Sequence, residues 1–171
     1  MKWLIRIAGV LAVLALLIYG IGSGLPREDS FTRTRVIGQP PEDVWKVVRD
    51  YAGQPLWHSG LHSAYRLPDE NGRETWKFTD SHGESTKMEI VQSDSPRLLV
   101  NHFHDARANV DLVWTFRITP VAGGSRVALT QTDILPNPFL RFLVRLFFGT
   151  KYVNDYLNDL AKKFGEPAAA R

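Results

Sequence analysis

ANVDLVWTFRIT, residues 108–119, is the plainest strand in this sequence. Val110, Leu112, Trp114, Phe116 and Ile118 alternate with Asn109, Asp111, Thr115 and Arg117. A period of two sends one set to each face of a sheet, so one face meets a core and the other meets water. Gly123-Gly124 then turns the chain into SRVALTQTDIL, residues 125–135, where Val127 and Leu129 share a face. Upstream the same grammar repeats. LHSAYRL (61–67) stops at Pro68, and DENG (69–72) makes a hairpin turn. ETWKFTD (74–80) puts Trp76 and Phe78 on one face, SHG turns, and ESTKMEIVQ (84–92) does the same with Met88 and Ile90. SDSP (93–96) leads into RLLVNHFH (97–104).

The flanks of this run are helical or irregular. FTRTRVI (31–37) reads as a first strand of weak alternation. PPEDVWKVVRD (40–50) reads as a short helix: Pro40 and Pro41 begin it, Glu42 and Asp43 suit the helix dipole, and Val44, Val47 and Val48 form its apolar face. YAGQPLWHSG (51–60) is a loop or one broken helical turn, punctuated by Gly53, Pro55 and Gly60. A long helix is expected from Pro138 to about Phe164, followed by a frayed tail, EPAAAR. In its second half Val153, Leu157, Leu160 and Phe164 make one stripe, with Asp155, Asp159 and Lys162 facing outward.

The first half of that helix, NPFLRFLVRLFFG (137–149), is unusual. Only Arg141 and Arg145 interrupt its apolar run, and they share one face. At 100° per residue the apolar arc from Phe142 round to Phe148 spans about 240°, over twice the stripe a soluble helix needs. The surplus fits either a deeply buried core helix or a lid or membrane contact, and Gly149 offers a hinge between the halves.

The N-terminus carries 20 consecutive uncharged residues, Ile7 to Pro26, enough to cross a hydrocarbon core of about 30 Å. Lys2 and Arg6 precede it; Arg27, Glu28 and Asp29 follow. A retained anchor is favoured over a cleaved signal peptide because no A-x-A site is present. Positive flanks stay in the cytoplasm, which puts residues 27–171 on the extracytoplasmic side, in a periplasm where there is one. The expected organisation is therefore an anchor, 1–26, and one domain, 27–171.

The composition narrows the function classes. Among 171 residues there are no cysteines, which excludes disulfides, thiolate metal sites and a cysteine nucleophile. Two of the 21 basic residues precede the apolar segment, leaving 19 against 18 acidic in the domain. No basic stripe with interleaved aromatics appears, so no nucleic-acid partner is expected. No G-x-S-x-G, H-E-x-x-H or phosphate-binding loop occurs. His102 and His104 share a strand face, but an H-x-H pair needs a third ligand, and Asp105 points the other way. His58, His62 and His82 form no pattern. No metal and no cofactor are expected.

The ordered set PPEDVWKVVRDYAGQPLW (40–57), WTFRITPVAGGSRVALTQ (114–131), NPFLRFLVRLFFG (137–149) and YLNDLAKKFGE (156–166) resembles the SRPBCC superfamily, with its START, Bet v 1-like and polyketide cyclase/dehydrase-like members. The likeness covers nearly all of residues 31–166. It implies an α+β helix-grip fold: a curved antiparallel sheet of about seven strands wrapped round a long C-terminal helix, with two short helices after the first strand. To this the sequence adds an N-terminal transmembrane helix. The resemblance also implies an apolar cavity for a lipid, isoprenoid or polyketide-like ligand. Trp57, Trp76, Phe78, Met88, Ile90, Trp114, Phe116, Leu129, Phe139, Phe142 and Leu146 are the expected ligand-binding residues, with membrane contact through residues 7–26 and 139–148. The leading expectation is membrane-tethered binding of a hydrophobic small molecule, without assigned catalytic residues. One alternative is a cyclase/dehydratase-like enzyme using cavity acid–base groups. If Val127 and Leu129 face inward, so do Gln131 and Asp133, joined by His102 or Asn101 according to register. Against it, Asp133 at a strand's end reads as solvated. A second alternative is a non-catalytic adaptor with a filled core.

Overall fold

The computed structural model describes residues 2–106, 109–147 and 149–168. Ala108 at the head of the opening stretch, Phe148 at the edge of the apolar arc and the last three residues of the expected frayed tail lie outside the described residues. Helix α1 runs Lys2–Gly24, strand β1 Glu28–Ile37 and helix α2 Pro41–Arg49, followed by a 3-10 turn at Gln54–Leu56. Six strands follow: β2 Leu61–Glu70, β3 Arg73–Asp80, β4 Ser85–Asp94, β5 Leu98–Asp105, β6 Val110–Val121 and β7 Gly124–Ile134. Helices α3, Pro138–Phe147, and α4, Lys151–Lys163, complete the chain. The seven strands form one antiparallel sheet in the order β1-β7-β6-β5-β4-β3-β2. This is the expected helix-grip arrangement.

Local chemistry explains most boundaries. Asn71 and Gly72 both have positive φ, 52° and 73°, as a two-residue hairpin turn of the right twist requires. Pro41 occupies the first turn of α2 with Glu42 and Asp43, where a missing N–H costs nothing and acids meet the helix dipole. The expected long C-terminal helix is two helices. Gly149 takes φ 41° between them, and each packs on a different neighbour.

The core lies between the concave sheet face, α2 and α4. The sheet contributes Met88, Ile90, Leu99, Phe116, Ile118, Val127 and Leu129; α2 contributes Val44 and Val48; α4 contributes Val153, Tyr156, Leu157 and Leu160. Along β7 the alternation is strict, with Ser125, Val127, Leu129, Gln131 and Asp133 all buried. Helix α3 stands apart from this core and crosses the end of α1. Gly22 is the buried residue of α1, and a Cβ there would fall 1.9 Å from the Pro138 carbonyl oxygen. On the other face of α3, Leu146 and Phe147 are 60% and 66% exposed, so the surplus apolar arc faces out of the domain.

Candidate functional site

A cavity of about 150 Å³ opens between the sheet, the 51–61 segment and α4. Its wall is largely aromatic: Tyr51, Phe78, Phe103, Trp114, Phe116 and Tyr156. The rings touch in a chain of tilted and edge-to-face contacts. Phe78–Phe103, Phe103–Trp114 and Trp114–Tyr156 centroids lie 5.7, 5.8 and 5.3 Å apart. Asp80 and Glu84, from the β3–β4 turn, supply the acidic end of the lining. The volume accommodates about one aromatic ring.

Polar groups converge on this aromatic wall. Tyr51 Oη donates to Asn101 Oδ1 at 2.7 Å, a buried bond joining the end of α2 to the middle of β5. Tyr156 is 1% exposed, and its hydroxyl has no hydrogen-bond partner among the described residues. Burial drives both phenols' pKa values upward, so they remain neutral donors. His58 also lines the cavity, with its ring edge-on to Tyr156 at 5.0 Å. Its Nδ1 lies 3.4 Å from Asp159 Oδ2, which also accepts from Ser59 N at 2.9 Å and Ser59 Oγ at 2.7 Å. Burial opposes ionisation of Asp159, but the bonds from Ser59, Lys162 and His58 outweigh it and hold the carboxyl below its usual range.

The expected binding residues separate into groups. Phe78, Trp114 and Phe116 line the cavity. Trp57 packs on Tyr156 and Trp76 on Tyr51, each one ring behind the lining. Met88, Ile90 and Leu129 belong to the core and are absent from the lining. Phe139, Phe142 and Leu146 sit on α3, which contributes nothing to the cavity. The outward assignment of Asp159 is corrected: it is 5% exposed, because the 51–60 segment folds over that side of α4. His58, Tyr51, Asp159 and Tyr156 escaped the sequence reading as a site, and Asn101 entered it only as the alternative to His102. The one signal for them was the register question left open at Asn101 and His102.

The register resolves that question. Asn101 pairs with Ile90 and Trp114 and faces inward; His102 pairs with Glu89 and Val113 on the outer face. There His102 Nε2 and His104 Nδ1 both meet Asp111 Oδ1, at 2.8 and 2.9 Å. Among the described residues no group of three or more His, Cys, Asp or Glu is arranged to hold a metal ion.

Asp133 is also corrected, from solvated to buried. It is 6% exposed, accepts from Gln131 Nε2 at 2.9 Å and leaves Oδ2 without a partner among the described residues. It faces a separate hollow of about 20 Å³ between β1, β7 and α3, lined also by Asp29, Arg141 and Arg145. Burial raises its pKa above 3.8; the Gln131 bond opposes this, and Asp29 adds to it. A carboxyl with a raised folded-state pKa favours folding fully only below the unfolded value, and that contribution is lost as pH rises through the folded value. Asp133→Asn is therefore expected to raise stability at pH 7 by about 1 kcal/mol. The gain should shrink as the pH is lowered towards 4. Thermal melts of the full chain in micelles at several pH values check this; destabilisation at pH 7 would contradict it.

A family model described as polyketide cyclase/dehydrase and lipid transport matches residues 28–165. A search of curated proteins found no match. Among solved structures, the di-domain ARO/CYC StfQ of the steffimycin biosynthetic pathway aligns with TM-score 0.63 and 12% identity over 80% of this chain. The chain spans only 50% of StfQ. The Zhui aromatase/cyclase from Streptomyces sp. R1128 aligns with TM-score 0.59 and 14% identity, covering 81% of this chain and 94% of that one. A Thalictrum flavum norcoclaurine synthase point mutant, in complex with a transition-state analogue, aligns with TM-score 0.64 and 12% identity over 80% of this chain and 94% of its own. At such identities these likenesses establish the fold alone. With the family model matched from β1 to the end of α4, the chain belongs to the polyketide cyclase/dehydrase and lipid-transport family of SRPBCC proteins.

Proposed function

We propose that this protein is a membrane-tethered helix-grip domain that binds a hydrophobic small molecule of lipid, isoprenoid or polyketide-like character. The observation that carries the reading is the cavity with its aromatic wall, which offers an apolar ring or chain segment an apolar surface and a few fixed polar contacts. Helix α1 supports the tether. It has 23 residues and a mean hydropathy of 2.5, and nearly all its length is exposed. So much apolar surface is stable in a bilayer and not in water. Lys2 and Arg6 favour a cytoplasmic N-terminus and an extracytoplasmic domain. Phe139, Leu146 and Phe147 on α3, beside the end of α1, then meet the interfacial region of the same bilayer.

The test is native mass spectrometry of the full chain extracted from its own membranes. The expected result is an intact N-terminus and a stoichiometric apolar ligand, lost in Thr86→Phe, which fills the cavity. Absence of any ligand, together with no uptake of benzene, would overturn the binding reading. A chain recovered without residues 1–26 would overturn the tether.

A further inference from the structure

We propose that α1 and α3 hold the mouth of the aromatic cavity over the bilayer, so that an uncharged membrane lipid enters it tip first while most of the molecule stays in the membrane. This rests on the cavity being the ligand site and on α1 being the tether, and adds the direction of entry and the part of the ligand that is held. The direction follows from the run of the strands. Strand β3 ends at Asp80, β4 begins at Ser85, β6 begins at Val110, β7 ends at Ile134 and β1 begins at Glu28. Every pairing in the sheet is antiparallel, so these termini all lie at one end of it. The deep part of the cavity, at Tyr51, Asn101, Phe116 and Tyr156, is buried. The lining that approaches the surface, at Asp80, Glu84, Thr86 and Leu112, stands at that same end. The cavity therefore opens where α1 delivers the chain into β1.

The link between helix and domain is short and fixed. Only residues 25–27 separate the end of α1 at Gly24 from Glu28, and such a link spans less than about 15 Å. Arg141 grips both sides of it. Its Nη1 donates to Gly22 O and Leu25 O, while Nε and Nη2 donate to Leu135 O and Pro136 O just past β7. The bare Gly22 lets the Pro138 backbone lie directly on α1. The domain is thus held at one angle to α1 rather than on a loose leash. At the same end α3 exposes Leu146 and Phe147, and the 51–61 wall of the cavity exposes Leu56 to 88%. Lipid solvates such side chains better than water does.

Size sets how much of the ligand enters. A cavity of about 150 Å³ takes about one aromatic ring. A membrane lipid is several times larger, so its remainder lies beyond the mouth. With the mouth over the bilayer, that apolar remainder stays in hydrocarbon; with the mouth in water it would be exposed. Charge narrows the class further. No Lys or Arg lines the cavity, and Asp80 and Glu84 stand at its rim, so an anionic group there is disfavoured.

Two readouts on the full chain in lipid nanodiscs test this. The chain has no cysteine, so a donor dye can be placed singly at the mouth, by His82→Cys in the β3–β4 turn, or at the opposite end, by Ala122→Cys in the β6–β7 turn. Strands of 8 and 12 residues separate the two ends by about 30 Å. Energy transfer to acceptors on the lipid headgroups is expected to be severalfold stronger from position 82. Equal transfer from both positions, or stronger transfer from 122, overturns the proposal. The second readout uses 1-bromo-4-dodecylbenzene, which stays in the bilayer and carries a heavy atom on its ring. It is expected to quench the tryptophan emission of the parent severalfold more than that of Thr86→Phe, with Trp114 in the cavity wall as the reporter. Benzene, which reaches the cavity through water, is the control. Uptake of benzene without that difference in quenching overturns entry from the bilayer and leaves the binding site standing. Uptake of neither probe overturns both readings.

Discussion

Replacing Gly124 by valine is expected to prevent the sheet from closing at its β1 edge. A Cβ at this position would lie 2.0 Å from the carbonyl oxygen of Ile37 and 2.9 Å from the Gly38 Cα, both backbone atoms that cannot swing away. Relief requires β1 to move off β7, where the two strands pair without interruption from Glu28↔Ile134 to Ile37↔Ser125. Ile37 is fully buried, so its displacement also opens the core. The expected cost is about 3 kcal/mol or more, a large fraction of a domain's stability and enough to lower its melting temperature by about 10 °C. The neighbouring Gly123 is the control. Its φ is 79°, but a Cβ there meets nothing within 4 Å, so Gly123→Asn, a residue tolerant of that conformation, should cost under about 1 kcal/mol. Circular-dichroism melts of both variants decide it; a Gly124→Val protein melting within a few degrees of the parent would refute the account.

The second large effect is expected at Arg141, the buried residue of α3. Its guanidinium ties three segments together. Nε donates to Leu135 O at 2.7 Å, Nη2 to Pro136 O at 2.6 Å, and Nη1 to Leu25 O at 3.2 Å and Gly22 O at 3.4 Å. The last two carbonyls belong to the end of α1, where a helix leaves its acceptors unpaired and favours a cation. Arg141→Met keeps the volume and removes every donor. It is expected to cost about 3 kcal/mol and to free α1 from α3. Arg141→Lys should recover only part of this, because one ammonium cannot reproduce a planar fork. The chain has no cysteine, so spin labels can be introduced cleanly at Ser23 and Lys162. A narrow distance distribution in the parent should broaden in Arg141→Met, and an unchanged distribution would show that Arg141 does not hold α1.

These two positions mark the limit of what sequence reading reaches. Gly123-Gly124 is legible as a turn, because a hairpin needs its glycines locally; that Gly124 admits no side chain depends on Ile37, 87 residues earlier. Arg141 reads as an interruption in an apolar run, yet its partners are carbonyl oxygens, which every residue carries and no sequence pattern marks. Asp159 reads as a solvated helix residue because it falls off the stripe of Val153, Leu157 and Leu160. It is buried because Ser59 and His58 are folded over it from 100 residues away.

The sequence by itself determined the period-two strands, the turns at Asn71-Gly72 and Gly123-Gly124, the start of α2 and the apolar length of α1. Each of these rests on forces between near neighbours: pleat alternation, positive φ, helix dipole and hydropathy. Even the helix break was marked locally, by Gly149. Only the tertiary structure decided that Asn101 and not His102 faces the cavity, since a single residue of register exchanges the two faces of a strand. It also decided that His58, Tyr51, Asn101, Tyr156 and Asp159 meet at one place, and that α3 serves the end of α1 and not the cavity. Those outcomes depend on contacts between segments far apart in the chain, and local periodicity carries no record of them.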